Sequence, residues 1–79
     1  MNREEAKIKS TVKKLLADFL GIDPEDIEED FSLTEDLHMK ATDITDFMDL
    51  LNKKNIVTDG VDLTEIETFS DLTEAIIQS

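Results

Sequence analysis

Ile8, Val12, Leu15, Leu16 and Phe19 fall at i, i+4, i+7, i+8 and i+11, which places five bulky apolar side chains along one face of a helix. This stripe predicts an amphipathic helix over residues 3–20 that must bury one side against something else. Gly21 follows Leu20 directly and suits the left-handed position just past a helix end. The partner surface has to come from the remaining sequence, and the whole chain has only 79 residues. That length supports one core, so residues 1–79 are expected to form a single domain. There is no cysteine, so no disulfide or thiolate metal site holds the fold.

The rest of the chain repeats the helical pattern in shorter pieces. Asp23-Pro24-Glu25-Asp26 suits a short helical turn, with Asp23 as cap and Pro24 at the first position, where its missing N–H is not needed. Ile27, Phe31, Leu33 and Leu37 are apolar anchors for a long loop that folds back on the helices. A second helix is expected over about 42–54, with Ile44, Phe47, Met48 and Leu51 inward and Thr42 as N-cap. Ile56 and Val57 continue as an apolar connector, and Asp59-Gly60 marks a turn. Val61, Leu63 and Ile66 suit a short third helix. Ser70 caps a last helix that carries Leu72, Ala75, Ile76 and Ile77. No period-two, β-branched stretch reads as a strand. The expected core is Ile8, Val12, Leu15, Phe19, Phe31, Phe47, Leu51, Ile66, Phe69 and Ile76.

The net charge is −12, and it is unevenly placed. Five cations, Arg3, Lys7, Lys9, Lys13 and Lys14, lie near the start, and none lies from Leu15 to Met39 or from Asn55 to Ser79. Such a chain is repelled by nucleic-acid phosphates and anionic lipid headgroups, which argues against both as partners. It is expected to stay monomeric and to meet basic protein surfaces. The start lacks the apolar core of a signal peptide, and no run approaches the roughly 20 apolar residues that span a bilayer. A cytoplasmic location is the expectation.

One stretch carries a resemblance. Glu35-Asp36-Leu37-His38-Met39-Lys40-Ala41-Thr42-Asp43 resembles the prosthetic-group site of acyl carrier proteins, which reads roughly Glu-Asp-Leu-Gly-x-Asp-Ser-Leu-Asp. Val12 through Gly21, Pro24 through Ile27, Phe31 through Leu37 and Ile66 through Leu72 resemble other parts of that family in the same order. The resemblance implies an all-α, acyl-carrier-like four-helix bundle, with a long ordered loop between helices one and two and a short third helix. It also implies phosphopantetheine on a serine at the start of the second helix. Ala41 stands at that serine's position, and a methyl group offers no oxygen to phosphorylate, so no cofactor is expected there. Lys40 replaces an aspartate, and His38 replaces a glycine. A shift of the attachment to Thr42 would rotate the site by about 100° around the helix.

The expected function is therefore a non-catalytic, acyl-carrier-like module that binds a protein through its acidic second helix. Asp43, Asp46 and Asp49, with Met39 and Lys40, are the candidate partner-binding residues. The implied partner is the basic surface of a protein such as a fatty-acid or polyketide pathway enzyme. The alternative is a genuine acyl or peptidyl carrier whose serine has been replaced by Ala41 or moved to Thr42. No enzyme is expected: His38 is the single histidine and has no nucleophile or orienting partner at a recognisable spacing. The carboxylates of residues 23–30 lack the twelve-residue pattern and central glycine of a calcium loop, so no metal site is expected. Phe19, Phe31, Phe47, Phe69, Met39 and Met48 are expected to fill the core rather than to line an acyl pocket.

Overall fold

A computed structural model describes residues 3–56, 58 and 61–78. Among them the chain forms three α-helices and one 3₁₀ turn. They are α1 (Arg3–Leu20), the 3₁₀ turn Pro24–Asp26, α2 (Ala41–Lys53) and α3 (Phe69–Gln78). No strand occurs among the described residues, apart from an isolated antiparallel bridge between Ser32 and Thr68. The expected connector residue Val57 and the turn Asp59-Gly60 lie outside the described residues.

Helix α1 has the bounds its stripe predicts. Glu4 and Glu5 lie in its first turn, where the positive end of the helix dipole favours them. Its end is a Schellman motif: Ile22 N–H donates to Ala17 O at 2.9 Å, Gly21 N–H to Asp18 O at 3.3 Å, and Gly21 sits at φ +72°. Helix α2 ends the same way, with Asn55 in the left-handed role at φ +65°. There Ile56 N–H donates to Leu51 O at 2.9 Å and Asn55 N–H to Asn52 O at 3.1 Å. Asparagine tolerates that conformation better than most side chains.

The core joins all three helices and the connection between α1 and α2. Val12, Leu16, Phe47 and Leu51 are fully buried, and Ile27, Leu33, Phe69 and Leu72 nearly so. Met39, Met48, Ala17 and Ile76 complete it. Ile8, Leu15 and Ile66, expected in the core, are only partly buried and pack against it. Phe31 is half-buried. Phe19 departs furthest, with 36% of its surface exposed. It lies in the last turn of α1, with its ring against that of Phe47, centroids 5.6 Å apart. Thr73 is the buried polar residue, and its hydroxyl donates to Ser70 O at 3.1 Å.

Helix α3 begins at Phe69, so its N-cap is Thr68 rather than Ser70. Asp71 N–H donates to Thr68 Oγ1 and Thr68 N–H donates to Asp71 Oδ2, each at 3.1 Å. This reciprocal pair is a complete capping box. The next two helix amides are satisfied from far along the chain: Phe69 N–H by Phe31 O at 3.0 Å, and Ser70 N–H by Glu29 O at 2.8 Å. Leu33 N–H in turn donates to Glu67 O at 2.9 Å. The connection between α1 and α2 is thus fastened to the start of α3 by main-chain bonds.

The expected third helix at Val61, Leu63 and Ile66 is not seen among the described residues, which form a turn there. Asp62 Oδ1 accepts both the Thr64 N–H, at 2.9 Å, and the Thr64 hydroxyl, at 2.6 Å, and Glu65 N–H donates to Asp62 O at 3.1 Å.

Candidate functional site

The start of α2 is where the sequence places its chemistry. The backbone reaches it through Met39, whose N–H donates to Leu33 O at 2.9 Å and whose side chain is buried. His38, just before it, takes φ +58°. A non-glycine residue in that region is uncommon, although histidine is among those enriched there. A glycine would adopt it at no steric cost.

Lys40 is the N-cap of α2, and Thr42, expected in that role, lies inside the helix at the second position, exposed. The cap is only half a box. Lys40 N–H donates to Asp43 Oδ2 at 2.9 Å. The lysine side chain cannot return the bond, because an ammonium has no acceptor. Ala41 follows as the first helical residue and is exposed. The Thr45 hydroxyl donates back to Ala41 O at 3.1 Å.

The expected partner-binding residues separate into two groups. Asp46 and Asp49 are exposed on α2 and three residues apart, so both carboxylates share one side of the helix. Lys40 is exposed too. Asp43 is half-buried and committed to the Lys40 amide. Met39, also expected in the set, is buried in the core with 3% exposure.

Elsewhere, a groove of about 380 Å³ runs between the 62–66 turn and α3, walled by Asp62, Glu65, Asp71 and Glu74 with Ile66 and Ala75 among them. None of its lining comes from α2. Two of its carboxylates are held below the ordinary aspartate range by hydrogen bonds: Asp62 by the Thr64 hydroxyl and amide, and Asp71 by the amides of Thr68 and Glu67. The Asp62 and Asp71 bonds were missed by sequence reasoning, yet Thr68-x-x-Asp71 is a legible capping pattern. Among the described residues, no three histidine, aspartate or glutamate side chains come together as a metal-binding set. No helix of the structure is long and apolar enough to cross a membrane.

Fold and site together define a small acidic all-α domain, with a loop pinned to its core and a solvent-facing start to its second helix. Over 76 residues the chain is 33% identical to the acyl carrier protein of Thermotoga maritima, covering 95% of this chain and 91% of that protein. Over 47 residues it is 36% identical to the acyl carrier protein of Chlamydia muridarum, covering 60% of this chain and 61% of that one. The chain belongs to the acyl carrier protein family. No family model matches it.

Proposed function

We propose that this chain is a member of the acyl carrier protein family that does not carry at the family's attachment position, and that it works by binding a protein. Ala41 carries the reading. It is the first residue of α2, exposed, and its side chain is a methyl group. A phosphopantetheine arm joined through a serine oxygen has no oxygen to join there, so the residues present do not fit that group. The hydroxyl bonded to the Ala41 backbone belongs to Thr45, and it is turned onto the Ala41 carbonyl. In this reading the chain is not an enzyme and holds no cofactor.

The binding surface is the exposed side of α2, with Asp46 and Asp49 as its carboxylates and Lys40 at its edge. Its partner is a protein with a basic patch, such as an enzyme of fatty-acid or polyketide synthesis. Charge complementarity of this kind speeds encounter and sets orientation. The second reading is a carrier whose attachment has moved to Thr42, and the exposure of Thr42 is the observation that favours it.

Intact mass separates the two after incubation with coenzyme A and a broad-specificity phosphopantetheinyl transferase. The unaltered chain is expected to keep its mass. A gain of the arm would overturn the proposal, and Thr42 would be the first residue to map. Ala41→Ser alongside tells whether the surrounding site still admits the transferase.

A further inference from the structure

Phe19 and Ile22 are two of the three large apolar side chains, with Leu63, that stand out to solvent among the described residues, at 36% and 38% exposure. Both are held in place. The Phe19 ring lies tilted at 52° against the Phe47 ring of α2, centroids 5.6 Å apart. The Ile22 main chain is fixed by its N–H bond to Ala17 O in the turn that closes α1. A binding surface gains when its apolar groups are already ordered, because little entropy is lost on docking.

The surroundings say what could cover them. Asp18 and Asp23 flank the pair in sequence and are exposed, as is Asp46, next to Phe47. The chain has no lysine or arginine from Leu15 to Met39, and nucleic acid and anionic lipid are repelled by these exposed carboxylates. An amphipathic helix with a lysine-rich border matches both the apolar centre and the acidic edge.

We propose that the end of α1 is a docking seat for a basic amphipathic helix of a partner protein, with Phe19 and Ile22 as its apolar anchor. The inference rests on the protein-binding reading and adds a second, apolar element to the carboxylates of α2.

The probe is a fluorescent leucine–lysine amphipathic peptide titrated into the full chain at about 0.15 M salt. Two control peptides replace its lysines by glutamine or its leucines by serine. The parent peptide is expected to bind, and both controls to bind about tenfold more weakly or worse. Ile22→Ser should weaken the parent by a similar factor, with thermal unfolding checking that the fold persists. Amide shifts should centre on Phe19–Asp23. Absence of saturable binding up to about 1 mM overturns the proposal. Equal binding of the leucine-free peptide, or no effect of Ile22→Ser, also overturns it by leaving charge alone. Loss of binding in Asp46→Asn/Asp49→Asn with Ile22→Ser unaffected would keep the α2 surface and remove this seat. A concentration-dependent dimer abolished by Ile22→Ser would make the occupant a second copy, whose α1 carries Lys7, Lys9, Lys13 and Lys14, and would overturn the choice of partner.

Discussion

The Asp43 carboxylate caps the Lys40 amide at 2.9 Å, and Lys40 has no means of capping in return. Helix α2 therefore starts with one of its free amides satisfied through Asp43 and with a cation near its positive end, where an anion is favoured. Lys40→Asp supplies an acceptor and reverses that charge. It is expected to stabilise the fold by about 1 kcal/mol, measured by urea unfolding. Lys40→Met, which removes the charge without adding an acceptor, should give a clearly smaller gain.

At α3 the same kind of cap is complete, so there substitution should cost stability. Thr68→Ala is expected to destabilise by about 1 kcal/mol. Its effect on thermal unfolding can be read beside Ser70→Ala, which removes a hydroxyl that does not serve as the N-cap.

The pH dependence follows from Asp71. Hydrogen bonds from the amides of Thr68 and Glu67 lower its folded pKa below the unfolded value, which is about 3.9 for an ordinary aspartate. Its contribution is fully present above that unfolded value and is lost as pH falls through the lower, folded one. Asp62 acts in the same direction through Thr64. Stability measured from pH 6 down to about pH 2 should fall less steeply below about pH 4 in Asp71→Asn than in the unaltered chain. Parallel curves would contradict the assignment.

His38 holds φ +58° without the freedom of glycine. His38→Gly is expected to raise stability by up to about 1 kcal/mol, the gain from relieved backbone strain exceeding the added entropy of the unfolded chain. His38→Val, branched at Cβ, should lower it. Chemical denaturation of the three proteins checks the order.

Leu16 is fully buried, whereas Leu15 is only partly so. Leu16→Ala is expected to cost about 2–5 kcal/mol, and Leu15→Ala distinctly less. Neighbouring residues on one helix stripe look alike in the sequence. Which of them is fully buried depends on how the other elements lie against α1, and apolar spacing does not encode that.

The same contrast separates what was legible from what was not. Helix α1 could be read to both ends, because its stripe is long and Gly21 marks the close. The cap of α2 was read two residues late, because Thr42 is a better capping residue by type than Lys40. The missing acceptor at Lys40 is made up in part by Asp43, three residues on. The turn at residues 62–66 was read as helix because Val61, Leu63 and Ile66 have acceptable spacing. Only a single turn closes there, with Glu65 N–H donating to Asp62 O at 3.1 Å. At the candidate site, the exposure of Ala41, Asp46 and Asp49 agrees with the helical pattern. The burial of Met39 does not follow from it, since that side chain is set by the loop's attachment to Leu33.

The main-chain bonds from Phe31 and Glu29 to the start of α3 tie together residues about forty positions apart in the chain. The amides of Leu33, Phe69 and Ser70 should share one opening free energy in hydrogen exchange. Helix α3 thus acts as a latch on the loop that feeds α2. A break near residues 62–66 that leaves α1 and α2 untouched would still loosen the approach to Ala41 from behind.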